Sequence, residues 1–266
     1  MPEFNVNIPC ASFQPGNKVP ARRKTVALLF VQQQGRRFVV KSFFEEHDTD
    51  EQSEQRLQRE LEAMEAFAAL DVKVLRPVFG PATEFTLSVD GREIRLVHVL
   101  VFPFRECRTL QKAIADNPDP LPLIREAGTR IGERHGKANS MLQVHSDGAP
   151  HNILEDWTWF DFSAEHKTSD LSVAKSNEVW RFITGLAGVT PAGQTQARVT
   201  AFCETYADLP VMKLARDRKR RPWALLRMLA RPHYLCALLA GDTQRLRRVR
   251  AWRALDNYLK AVSLAR

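Results

Sequence analysis

The chain has 266 residues, 44% hydrophobic and 26% charged, the make-up of an ordinary globular protein able to bury a full core as one two-lobed domain or two small ones. Four cysteines, Cys10, Cys107, Cys203 and Cys236, are scattered without a CxxC pair, which argues against a disulfide framework and a zinc site and points to a reducing compartment. The net charge of +8 is uneven. From Val211 to Arg266 fifteen Lys or Arg face three Asp, a net of +12, which leaves −4 for residues 1–210. The N-terminus has no charged-then-apolar signal pattern, and no run approaches the ~18 apolar residues of a spanning helix, so the expected location is the cytoplasm.

Residues 1–24 carry Pro9, Pro15, Gly16 and Pro20 and give no firm pattern. Thr25 to Val31 and Arg37 to Phe44 are β-rich runs joined by Gln-Gln-Gln-Gly, a hairpin signal. Alternation in the second run sets Val39, Lys41 and Phe43 on one face, and Val40 and Ser42 on the other. Lys41 is a lone cation in an apolar strand; the plainest reading is an edge-strand lysine whose head reaches water. Glu54 to Leu70 has Leu57, Leu61, Met64 and Ala68 at helical spacing. Glu60 borders that stripe, although Glu62 and Glu65 fit a solvated acidic helix equally well. Phe85 to Val89 and Glu93 to Phe102 flank Asp90-Gly91, a strong hairpin signal. The second of these strands ends at Pro103, before a helix over Thr109 to Ala115, as a hinge between two lobes would. Pro122 to Asn139 reads as a helix with Gly128, Gly132 and Gly136 at four-residue spacing. Charged residues surround these glycines, so close packing on another helix is expected.

That helix leads into Val144-His145-Ser146-Asp147-Gly148-Ala149-Pro150-His151-Asn152-Ile153-Leu154, followed by Trp159-Phe160-Asp161-Phe162-Ser163. Taken singly, Asp147-Gly148 suits an ordinary turn, and Asp161 between aromatics suits a buried, hydrogen-bonded carboxylate. His145 suits a scaffold role beneath the loop and His151 an exposed one; the two lack a third partner for a metal. As a set, His-Ser-Asp-x4-Asn resembles the protein-kinase catalytic loop His-Arg-Asp-x4-Asn, and Asp-Phe-Ser resembles Asp-Phe-Gly. Arg59-Glu-Leu-Glu-Ala-Met64 and Val72-Lys-Val-Leu-Arg-Pro77 are similar to the helix and turn of compact lipopolysaccharide-kinase-like proteins. The resemblance runs from about Thr25 to Leu186. The nearest group is the lipopolysaccharide (Kdo/heptose) kinase family, with the KEOPS-complex kinase and aminoglycoside phosphotransferases as cousins.

The resemblance implies an α+β, two-lobed protein-kinase-like fold, with an antiparallel-sheet N-lobe over residues 1–103 and a mainly helical C-lobe. That C-lobe would comprise 104–210, with the catalytic loop, and a basic helical part, 211–266. It also implies roles. Asp147 would be the catalytic base; Lys41, oriented by Glu60, would meet the phosphates of ATP; Asn152 and Asp161 would hold Mg²⁺. The metal-binding pair is expected at the ends of two short strands. Departures matter too. Ser146 replaces the arginine that reads a phosphorylated activation loop, and Ser163 replaces a glycine and should stiffen its turn. There is no Ala-Pro-Glu, only about ten residues lead from Asp161 to a helix over Leu171 to Leu186, and no Gly-x-Gly-x-x-Gly precedes Thr25. Gln14-Pro-Gly-Asn-Lys18 is the one stand-in for that glycine loop.

Beyond a helix over Gln194 to Ala207, the basic end has Arg216-Asp-Arg-Lys-Arg-Arg-Pro222, an apolar run from Trp223 to Ala230, and an arginine-rich helix from Gln244 to Leu264. Cationic amphipathic helices with tryptophan suit an anionic membrane surface, or the phosphates of a glycolipid or RNA. Equally, their apolar residues can complete a core beneath a solvated basic face. The expected activity is ATP- and Mg²⁺-dependent phosphorylation of a hydroxyl on a sugar, glycolipid or other small molecule, with the protein cytoplasmic or peripheral at the inner membrane face. The alternatives are a pseudokinase that binds nucleotide or a partner without catalysis, or a KEOPS-like Ser/Thr kinase associated with protein or RNA.

Overall fold

The computed structural model describes residues 27–33, 35–43, 50–89, 92–218 and 243–265. The chain is α+β and mostly helical, and it divides into two compact units: residues 1–65 with 74–106, and residues 66–73 with 107–266.

The first unit is built on a four-stranded antiparallel sheet of order β1-β2-β4-β3, formed by β1 (Ala27–Gln33), β2 (Arg36–Ser42), β3 (Phe79–Val89) and β4 (Arg92–Pro103). The β-branched and aromatic runs form the strands, and their register pairs Lys41 with Leu28 on one side and Leu100 on the other. β2 is therefore an inner strand, which overturns the edge-strand reading of Lys41. β3 begins at Phe79, six residues before the expected start. Gly80-Pro81 reads as a strand break, yet β3 is an edge strand, where a proline is tolerated, and the register shift between Phe79 and Ala82 absorbs it. Gly80, at φ +106°, has the carbonyl of Val99 where a side chain would start. Helix α1 (Asp50–Ala68) starts four residues earlier than its periodicity suggests and buries Ser53, Leu57, Glu60 and Met64, while Glu62 and Glu65 are exposed.

The second unit is helical: α2 (Leu110–Asp116), α3 (Leu121–Lys137), α4 (Leu171–Gly188), α5 (Thr195–Tyr206), α6 (from 209, described to 218) and α7 (Thr243–Leu264). Thr109 caps α2 by accepting from Lys112 N, and Asp170 caps α4 by accepting from Ser172 N and Val173 N, so both helices start where their orphan amides find an oxygen. α3 lies against α5 at two of its three spaced glycines. A Cβ at Gly128 would overlap Thr205 and the Phe202 carbonyl, and one at Gly132 would overlap the Tyr206 carbonyl; Gly136 has open space. α7 packs on α5 and α4, burying Ala251, Trp252, Leu255 and Leu259 and leaving Arg248 and Arg253 exposed. The apolar face of this basic helix is thus spent within the unit. Trp223 to Ala230 lies outside the described residues, as does Gln14 to Lys18. Among the described residues no helix is long and apolar enough to cross a membrane.

The α3–α5 contact is set by backbone proximity, so Gly132→Val should destabilise the protein by about 1–3 kcal/mol through overpacking, while Gly136→Ala should be neutral or slightly stabilising. Urea unfolding midpoints of the two variants check this.

Candidate functional site

The five residues singled out by their resemblance fall into two sets, one in each unit. In the first unit Lys41 Nζ lies 2.5 Å from Glu60 Oε2, with the two side chains only 7% and 2% exposed. The strand period places Lys41 on the face it shares with Phe43, whose ring centroid is 5.0 Å from the ammonium. The helical period places Glu60 on the buried stripe of α1 with Leu57 and Met64. The snorkelling lysine and the solvated glutamate are both excluded by this burial.

In the second unit Asp147, Asn152 and Asp161 are tied together by backbone and side-chain hydrogen bonds rather than by strands. Asn152 ends a 3₁₀ turn, Pro150–Asn152, and Ile153 and Leu154 make only isolated bridges, to Trp159 and Thr109. The expected pair of short strands is absent because two residues of ladder cannot propagate around the turn at Asp156-Trp157. Asn152 is buried; its Nδ2 donates to Asp147 O at 2.8 Å, and its backbone carbonyl accepts from Phe160 N at 3.2 Å. Asp161 follows directly at φ +62°, a left-handed conformation that aspartate tolerates better than most residues, and Ser163 Oγ donates to its Oδ1 at 3.0 Å.

His145 braces both sides. Its Nδ1 accepts from Asp147 N at 3.1 Å, which leaves the proton on Nε2 to be donated to Phe160 O at 3.0 Å. The ring sits among Phe67, Trp159 and Phe162, and this burial holds its pKa below the ordinary histidine value. A neutral ring with one donor and one acceptor is what the two bonds require.

Beneath this loop lies a buried ionic cluster that sequence reasoning missed. Glu178, in α4, is fully buried; its Oε1 pairs with Arg134 of α3, and its Oε2 accepts from His135 Nε2 and from the backbone N–H of His145, each at 2.9 Å. Burial alone would raise the Glu178 carboxyl, but Arg134 and the histidines reverse this and hold it well below the usual carboxylate range. His135 is kept neutral by burial, and its Nδ1 accepts from Tyr206 O–H at 2.7 Å. Arg134 also donates to Gln143 O, and its guanidinium lies between the rings of Phe67 and Trp159 at 4.5 and 4.4 Å. Gly148 is close enough to Glu178 that a Cβ there would overlap the carboxylate. The available signal was the placement of Glu178 among the apolar residues Ala174, Val179, Trp180 and Phe182, a charge inside a buried stripe.

Asp147 itself is 29% exposed. Arg181 Nη1 lies 2.5 Å from its Oδ1, and His151 Nε2 is 3.9 Å from its Oδ2. Among the described residues no three His, Cys, Asp or Glu form a metal-binding group. Of the pair expected to hold a metal, Asn152 bonds Asp147 O through Nδ2 and not through its amide oxygen, and Asp161 accepts from Ser163 Oγ. Oxygen donors of this kind are the type that Mg²⁺ takes, since it keeps waters and needs few protein ligands. No protein-family model and no curated protein matches the chain.

Two outcomes follow from the buried cluster. Glu178→Gln leaves Arg134 buried without its counter-charge and should cost about 3–5 kcal/mol, part of which the double change Glu178→Gln/Arg134→Met restores. Urea unfolding of the three proteins measures it. The folded pKa values of His135 and His145 lie below their ordinary 6.5, so below that pH the unfolded chain takes up protons that the folded one refuses. Stability should be full above about pH 6.5 and fall as the pH drops, with a slope of up to about 2.7 kcal/mol per pH unit for the two groups. Protonation of Glu178 in the unfolded chain adds a further loss below its ordinary 4.5. A flat unfolding midpoint between pH 7 and 5 would contradict the neutral-histidine assignment.

Proposed function

We propose that the protein is an ATP- and Mg²⁺-dependent phosphotransferase of the protein-kinase-like type, acting in the cytoplasm on a hydroxyl of a sugar, glycolipid or other small molecule. The observation that carries this reading is the buried Lys41–Glu60 pair. Removing two charges from water gains little stability over apolar residues of similar size, so such a pair is better explained by a ligand that needs a fixed cation. Lys41, oriented by Glu60, meets the nucleotide phosphates. Asp147 takes the proton of the acceptor hydroxyl as its oxygen bonds to the γ-phosphorus; the bond to the β–γ bridging oxygen breaks, and ADP leaves with its electron pair. Asn152 and Asp161 hold Mg²⁺, which when bound neutralises charge on the phosphates. The rigid support of the Asp147 loop by His145 and Glu178 supports this assignment, since phosphoryl transfer depends mainly on positioning.

A second reading, nucleotide binding without transfer, is favoured by one feature: Arg181 already occupies Oδ1 of Asp147, an oxygen that would otherwise be open to an acceptor hydroxyl. Melting curves with ATP, with and without Mg²⁺, followed by transfer of labelled γ-phosphate to lipid, glycan, protein and RNA fractions, separate the two. For an enzyme, Asp161→Ala should abolish Mg²⁺-dependent stabilisation by ATP. Asp147→Ala should retain that stabilisation while turnover falls by roughly 10²–10⁴. Full transfer by both variants would sink the site assignment.

A further inference from the structure

Among the described residues, Arg181 is the one joined to Asp147 by a short side-chain contact, and it comes from α4 rather than from the loop. Its side chain is 49% exposed, and among the described residues only its Nη1 has a hydrogen-bond partner. His151, 52% exposed, stands on the other oxygen of the same carboxylate. The mouth of the loop therefore presents two nitrogen-bearing groups to whatever approaches Asp147. An exposed ion pair of this kind contributes little to stability, and a ligand can take it apart at small cost. A planar guanidinium with free donors matches the two oxygens of a phosphate or carboxylate.

We infer that Arg181 is an acceptor-recognition residue, and that the acceptor is a polyol carrying an oxyanion substituent, phosphate or carboxylate, close to the hydroxyl that reacts. The substituent takes the guanidinium of Arg181 and draws it off Oδ1, which frees Asp147 to accept the hydroxyl proton. A neutral acceptor leaves the ion pair closed and the base occupied. The same contact that counts against turnover in the unliganded protein thus becomes a means of selecting the substrate. The inference rests on the phosphotransferase reading for its catalytic meaning, but its anion site can be tested without ATP.

Inorganic phosphate is titrated into the full-length protein and followed by the arginine Nε–Hε resonances and by calorimetry, for wild type, Arg181→Gln and Arg181→Lys. The expected result is a phosphate-dependent shift in wild type, affinity lower by about tenfold or more in Arg181→Gln, and an intermediate value for Arg181→Lys, which keeps the charge but not the fork. No phosphate-dependent shift in wild type, or equal affinity in Arg181→Gln with its fold intact by melting, overturns the inference. Transfer from ATP is then compared for a hexose, the same hexose bearing a phosphate, and the same phosphosugar on a lipid in detergent. Preference for the two phosphorylated acceptors, lost in Arg181→Gln through a raised KM, supports it, and their ratio tells a soluble from a lipid-borne acceptor. Equal use of the neutral hexose overturns it. Absence of transfer to every acceptor fraction counts against the phosphotransferase reading, while the phosphate titration judges the anion site independently.

Discussion

The carboxylate of Glu178 is the fixed point of the second unit. A lone buried carboxylate would cost several kcal/mol, so its oxygens must be filled. They are filled by Arg134, His135 and the amide of His145, which come from α3 and from the loop that follows it. Each partner is itself occupied: Arg134 by the Gln143 carbonyl and two aromatic rings, His135 by Tyr206, and His145 by Asp147 N and Phe160 O. One charge in α4 therefore sets the path of residues 143–148 without any β-ladder. It also explains why residue 148 is glycine, since the carboxylate occupies the space a side chain would need.

The local parts of this arrangement were legible in the sequence and the non-local parts were not. Alternation along β2 set Lys41 on one face with Val39 and Phe43, and the period of α1 set Glu60 at the border of its apolar stripe, but the pairing of the two came from the resemblance and their burial from the structure. Helices α2, α3, α4 and α5 fall within a few residues of their expected ends because caps, Thr109 for α2 and Asp170 for α4, and runs of apolar spacing mark them. The misreadings have a common cause. Lys41 was taken for an edge lysine because strand order cannot be read from one strand, and β3 was started late because Gly80-Pro81 is a breaker everywhere except on an edge. Glu178 and Arg181 were invisible as site residues because the bonds that give them meaning span 33 to 44 positions.

Lys41–Glu60 and Arg134–Glu178, buried ion pairs in different units, have different physical characters. Arg134–Glu178 has a structural reason to be charged: apolar replacements would strand the amide of His145 and the carbonyl of Gln143 without partners. Lys41 and Glu60 join an inner strand to a helix within the first unit, where the β ladder already satisfies the backbone of Lys41. Charge there is not needed to hold the strand, and this is why the proposed nucleotide reading rests on that pair rather than on the larger cluster.

The stripe of α4 that meets the loop is Glu178, Arg181 and Gly185, at the i, i+3, i+7 spacing of one helical face. Glu178 takes the His145 amide, Arg181 takes the Asp147 carboxylate, and Gly185 leaves room for the ring of Pro150. Exposure changes along the stripe, from a fully buried carboxylate to a half-exposed guanidinium. The buried contact cannot be exchanged with solvent and so fixes the loop, whereas the exposed one can be exchanged with a ligand's oxyanion. Because one rigid helix carries both, moving Arg181 off Asp147 need not disturb the backbone that positions Asp147. On the proposed reading, positioning and recognition are thereby separated by a single turn of helix.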